Sequence, residues 1–368
     1  MRRTLLVGFA VSMLAASFAT NAQQYTVVNL GTLGGTPMFT SFVGSVGLGI
    51  NASGQVTGWA LTTVDVEPQA FISDATTYAL TGIGVAGNFS QGFAINASGQ
   101  VAGNFSSYDF DNPTHAFVTN ATTNAITDLG TLGCGTRDYC NGTSYATGIN
   151  ASGQVVGYSD DVNVGIPFAF ITNPSTNAMI NLGTLGGGTS QAFGINDSGQ
   201  VTGYAGLASS GWGHAFITDA TTEAMTDLGT LGGAQSWGYA INASGQVTGY
   251  SYITGGTGSG PNHAFITDAT TEAMTDLGTL GGTNSEGLAI NTSGQVVGWS
   301  NTASGTQHGF LYTGGQMLDL NSLLDASDAA AYTLSSATGI NDSGQIVANG
   351  TVIATGEIVA FLLNPVSN

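Results

Sequence analysis

Carboxylates beside aromatic rings are the groups in this chain best equipped for chemistry, and they gather in three stretches. Asp65 and Glu67 sit two residues apart in TTVDVEP. Tyr108, Asp109, Phe110 and Asp111 are consecutive, and Asp160 and Asp161 are adjacent. Arg137 and Asp138 lie between the last two stretches, in LGCGTRDYCNG, while Trp212 and Tyr252 occupy corresponding places further along. Two carboxylates about 5–9.5 Å apart can hydrolyse a glycosidic bond as an acid with a base or nucleophile. Carboxylates against aromatic faces can instead hold a neutral sugar, a cation or a basic peptide. Surface loops are also where a soluble protein keeps its charge, so a purely solvent-facing role competes with both.

The other reactive residue types point to structure. His115, His214, His263 and His308 each stand two residues before a Phe, in H-A-F or H-G-F. They fall in different repeats, too far apart to share one ion at about 2.0–2.1 Å, so each is read as a structural hydrogen bond at the edge of its unit. The Gln that recurs in every repeat (Gln55 to Gln345) is read the same way. Asn196-Asp197 and Asn341-Asp342 hint at calcium, but the five equivalent turns carry Ala or Thr at the Asp position, so no metal is assigned. The chain has no G-x-S-x-G elbow and no Lys for a phosphate loop. No catalytic residue and no cofactor follow from the sequence.

These residues hang on a repeat. The core I-N-x-S-G-Q begins at Ile50, Ile95, Ile149, Ile195, Ile241, Ile290 and Ile340, at intervals of 45, 54, 46, 46, 49 and 50. Each unit offers four short strands, of the types A-F-G-I-N (A), Q-V-T-G-Y (B), H-A-F-I-T (C) and A-M-T-D-L (D), bounded by Gly, Asn, Asp or Ser. Asn at the start of the A–B turn can bond amides ahead of it, and Gly three residues later can take a left-handed conformation. Four strands per 45–50 residues predict an all-β fold, a seven-bladed β-propeller of four-stranded blades. Tyr25–Gly35 is a lone D strand with its connector, and the last unit stops after C. The N-terminal strand therefore completes the last blade and closes the ring, which a two-coil β-helix, the competing fold, gives no reason for. Loops B–C and D–A share one face of a propeller, and the carboxylate stretches fall on it.

Residues 1–22 have Arg2 and Arg3, an apolar run from Leu5 to Phe18 and small residues before Gln23. That layout predicts a cleaved secretory signal peptide, leaving residues 23–368 as a single propeller domain, secreted or periplasmic. The chain has 3 Lys+Arg against 22 Asp+Glu; without Arg2 and Arg3 the balance is 1 − 22 = −21. An acidic chain with one cation cannot build a basic patch for nucleic acid or anionic lipid, and no later apolar run is long enough to insert in a membrane. Cys134 and Cys140, the only cysteines, are expected to close a small disulfide ring after export.

The H-A-F triplets, the I-N-x-S-G-Q-V core and the D-L-G-T-L-G-G connectors together resemble the bacterial extracellular HAF-repeat family, over about residues 25–364. Unit 6 departs from the pattern, ending in Asp319-Leu320-Asn321-Ser322-Leu323-Leu324. The resemblance implies an exported bacterial repeat protein and carries no activity with it. The function expected is a non-enzymatic scaffold that binds a carbohydrate or a basic or cationic ligand through the variable-loop face. The binding residues expected are Asp65, Glu67, Tyr108, Asp109, Phe110, Asp111, Arg137, Asp138, Asp160, Asp161 and Trp212. The alternative is a carbohydrate-active hydrolase or lyase built on the carboxylates of units 1 to 3.

Overall fold

A computed structural model describes residues 23–36, 43–63, 68–84, 89–106, 113–133, 142–161, 163–208, 211–253 and 260–366. Seven four-stranded antiparallel sheets form a ring, a seven-bladed β-propeller. Blade 5 shows the pattern: strand A is Ser236–Ile241, B is Val247–Tyr252, C is Asn262–Thr267 and D is Met274–Asp276. Strand A is innermost. In the last blade the order is Tyr332–Ile340, Ile346–Val352, Ile358–Pro365 and then Tyr25–Asn29, so the N-terminal strand closes the ring as the sequence predicts.

Period-two alternation along strand C builds the core. Phe71, Phe117, Phe170, Phe216, Phe265, Phe310 and Phe361 are all fully buried. Each faces the preceding blade, while the residues on either side of it face the following one. Phe265 packs with Ala215, Ile217 and Leu228 of blade 4, and Ala264 packs with Phe310 of blade 6. The apolar core is therefore seven separate clusters, one at each junction between blades, the last joining Phe71 to Val347 and Leu362.

Two polar devices repeat at the junctions. At the start of strand A, a buried Ser accepts the backbone N–H of the Ala in strand C of the blade before: Ser236 Oγ from Ala215 at 2.8 Å, Ser285 Oγ from Ala264 at 2.9 Å, Ser45 Oγ from Ala360 at 3.0 Å. At the far end of strand A, the Asn of I-N-x-S-G-Q does more than shape its turn. Asn242 Oδ1 accepts from the Gln246 N–H at 3.0 Å, and its Nδ2 donates to Gln246 Oε1 at 2.9 Å and to the Asn291 carbonyl of the next blade at 3.1 Å. The same interblade bond runs from Asn51 to Asn96, then to Asn150, Asn196, Asn242, Asn291 and Asn341, and back to Asn51. Seven buried side chains thus form a closed circle of hydrogen bonds around the axis. Replacing one with Ala leaves buried donors and an acceptor unpaired. Asn242→Ala is expected to cost about 1–3 kcal/mol, read as a lowered urea midpoint at constant slope.

The departure in unit 6 has a structural reason. In place of the usual connector stand a 3-10 turn, Leu320–Leu323, and a helix, Ala326–Ala331, capped by Asp325. This insert covers the free edge of the closing strand. Asp328 Oδ2 accepts the Val27 N–H at 2.8 Å, Leu324 bridges Tyr25, and Leu320, Leu323 and Leu324 enclose the Tyr25 ring. Burial pushes the Tyr25 phenol up to about 12. An edge strand held only by its own ladder invites fraying or pairing with another chain, and here it is covered.

Candidate functional site

The seven copies of the blade form an internal alignment, and most of its columns are constant. Among those that vary are one position in strand A and its cross-strand partner in strand B. In blades 1 to 6 the pairs are Val46 with Trp59, Gln91 with Asn104, Tyr145 with Tyr158, Gln191 with Tyr204, Trp237 with Tyr250 and Glu286 with Trp299. Each strand A member directly follows the Ser that pins the blade before, so the pairs sit toward the B–C and D–A loops. Strand B can cross so closely only with Gly in the motif V-x-G: a Cβ on Gly249 would run into the Trp237 carbonyl oxygen, and one on Gly203 into that of Gln191.

In blades 3 to 5 these pairs are mostly aromatic and in contact. Tyr145 stacks on Tyr158 at 4.9 Å between ring centroids. Tyr204 of blade 4 stacks on Trp237 at 4.9 Å and 13°, and Trp237 stacks on Tyr250 at 4.7 Å and 13°. Tyr252 meets Tyr250 and Trp237 edge-on, and Tyr239 lies 5.7 Å from Tyr250. The belt continues into blade 6, where Glu286 accepts from Asn262 Nδ2 at 3.2 Å and from the Trp299 side chain. These residues are half-buried, leaving part of the belt exposed. Burial pushes the phenols of Tyr204, Tyr239 and Tyr250 up, and the neighbouring Glu286 charge adds to this at Tyr239 and Tyr250. Burial also raises the Glu286 carboxyl, against the pull of its two donors. Two residues along strand A from Trp237, Tyr239 joins Leu48, Phe93, Thr147, Phe193, Leu288 and Thr338 around an axial cavity of about 250 Å³.

The residues expected from sequence fare differently. Asp65, Glu67, Tyr108, Asp109, Phe110, Asp111, Arg137 and Asp138 lie outside the described residues, as do residues 1–22 and the Cys134–Cys140 pair. Asp160 and Asp161 are engaged locally. Asp160 Oδ2 accepts from the Thr143 hydroxyl at 2.7 Å and its N–H at 3.1 Å, bracing the connector from blade 2. Asp161 Oδ1 accepts from Asn163 N–H and Nδ2, each at 2.9 Å. Trp212 is half-buried beside the belt, its carbonyl accepting the Leu207 N–H at 3.0 Å, and the next residue, Gly213, bonds the Tyr204 hydroxyl through its N–H. Tyr204, Trp237, Tyr239, Tyr250 and Glu286 are not among the residues expected from sequence; their signal is variability from one repeat to the next.

The histidines do make the repeated hydrogen bond expected of them, each to an Asp at the end of its own D strand. His115 Nδ1 lies 2.9 Å from Asp128, His214 2.8 Å from Asp227, His263 2.9 Å from Asp276 and His308 2.7 Å from Asp319. Where the His is replaced, by Gln69, Phe168 or Val359, the Asp position holds Gly82, Asn181 or Asn29. That coupling marks a structural pair. Among the described residues no three His, Cys, Asp or Glu side chains cluster as metal ligands.

Residues 208–360 match the model of a family described as a protein of unknown function, DUF3466. No curated protein matches the sequence. Among solved structures, an oligogalacturonate lyase in complex with manganese is similar over 94% of this chain and 95% of its own, with a TM-score of 0.53 at 10% identity. A prolyl endopeptidase is similar over 94% of this chain at 11% identity and a TM-score of 0.52; the chain spans about half of that enzyme, 51%. The β-propeller domain of the Trilobed protease from Pyrococcus furiosus is similar over 75% of this chain and 81% of its own, at 12% identity and a TM-score of 0.52. At such identities the likeness is one of fold, and a propeller frame hosts many unrelated functions.

Proposed function

We propose that this protein is an exported, non-enzymatic binding scaffold that holds its ligand on the loop face, against the belt of blades 4 to 6. The observation carrying this reading is the belt itself. Blades whose pins, glycines and core phenylalanines repeat almost unchanged differ at this cross-strand pair, and in blades 4 to 6 it is rich in Tyr, Trp and Glu. Half-buried aromatic side chains with polar tips supply contact area at low conformational cost, as binding hot spots do. Export rests on the basic and apolar leader and on the resemblance to HAF repeats. The hydrolase or lyase alternative draws no support from Asp160 and Asp161, which serve a connector and a turn.

The test is a tryptophan-fluorescence and calorimetric screen of neutral oligosaccharides, basic peptides and small amines. A ligand of the wild type is expected to lose roughly tenfold or more in affinity in a folded Trp237→Ala variant. Unchanged affinity in that variant contradicts the site, and cleavage of an oligosaccharide by the wild type establishes the enzymatic alternative.

A further inference from the structure

Glu286 is out of keeping with its surroundings. It is a half-buried carboxylate whose partners, Asn262 Nδ2 and the Trp299 side chain, are both neutral. Every ion pair among the described residues joins a His to an Asp, and none involves Glu286. A charge drawn part-way out of water without a counter-ion is costly, and a chain with no Lys has little to offer as one. The fold does not require the charge. At the same position blades 2 and 4 carry Gln91 and Gln191, and a Gln side chain has the same length and an acceptor oxygen for the same two donors.

We infer that the loop-face junction of blades 5 and 6, where Asn262 meets Glu286, is a binding site for an alkylammonium group, with Glu286 as its counter-ion and Tyr239, Tyr250 and Tyr252 beside it. This deepens the proposed function and rests on it. An ammonium group has three donors and needs acceptors; a carboxylate offers about four lone-pair sites, of which Asn262 and Trp299 engage two, and the phenols of Tyr239 and Tyr250 lie close enough to feel the Glu286 charge. The electron-rich faces of the rings favour a cation over a neutral group of the same shape. The acidic chain draws cations toward its surface. A divalent metal is a poor match, because one carboxylate among phenols falls short of the oxygen set that calcium or magnesium takes. The ammonium can arrive on a small amine or on a lysine side chain, and the chemistry of recognition is the same.

The experiment titrates n-butylammonium chloride, 1-butanol and the peptide Gly-Lys-Gly into the wild type and into Glu286→Gln, up to the millimolar range, following tryptophan fluorescence and heat. The Gln variant should keep its thermal midpoint, since the fold already holds Gln at two equivalent places. The expected result is binding of butylammonium or of the lysine peptide but not of butanol, weakened at least about tenfold in Glu286→Gln. Binding of the peptide alone assigns the source as a lysine side chain. Equal response to butanol and butylammonium, unchanged affinity in Glu286→Gln, or no response to either cation overturns the inference. A neutral oligosaccharide whose binding depends on Trp237 and not on Glu286 overturns it while leaving the broader reading intact; if no ligand depends on either residue, both fail.

Discussion

A chain cut to begin at Gly31 unfolds well before one that begins at Gln23. Removing Tyr25–Asn29 strips blade 7 of its outer strand, exposing the edge of Ile358–Pro365. It also removes Tyr25 and Leu30, 2% and 7% exposed. Burial of two such side chains is worth about 3–6 kcal/mol, before counting the ladder and the Asp328 contact to Val27. Helix Ala326–Ala331 would lose the strand it covers, and the open edge would recruit other chains. The expected outcome is an unfolding free energy, from the urea midpoint and slope, lowered by at least that amount, with concentration-dependent association, both reversed by adding a peptide of residues 23–35. Equal midpoints for the two chains would mean that the ring does not depend on this closure.

Phe265→Ala should be nearly as damaging. The ring is fully buried between blades 4 and 5, against Ala215, Ile217, Leu228, Ile241 and Val247. Truncating such a side chain leaves a cavity that rigid sheets on both sides cannot close, and the usual cost is about 3–5 kcal/mol. Because the core is divided into seven junctions, hydrogen exchange should rise most in blades 4 and 5. A cost below about 1 kcal/mol, or a uniform rise in exchange around the ring, would contradict the picture of separate interblade cores.

The architecture was legible because a propeller repeats its own instructions. The I-N-x-S-G-Q spacing, the four short strands of each unit and the unpaired D strand at Tyr25 predict the fold and the closure that the structure shows. Less was legible in the roles of individual residues. Asn242 reads from sequence as a turn residue, and half of its work is indeed local; its bond to Asn291 crosses 49 positions, which no local pattern contains. The partners of the histidines were hidden for a similar reason, although Gly82, Asn181 and Asn29 standing opposite Gln69, Phe168 and Val359 betray the pairing. Trp237, Tyr250 and Glu286 carry the weakest sequence signal, because a repeat is defined by what stays the same and these side chains differ from one unit to the next. Asp160 and Asp161 drew attention as charge on a loop, yet their oxygens are held by Thr143 and Asn163.

A ligand bound at the belt of blades 4 to 6, and not elsewhere on the ring, would leave its mark on that surface in solution. Hydrogen–deuterium exchange of the intact protein, with and without a ligand from the binding screen, tests this most directly. Added protection is expected to concentrate in residues 204–206, 237–239 and 250–252 and in the segment around Glu286 and Trp299. Protection confined to the A–B turns on the opposite face, or to blades 1 and 7, would contradict it.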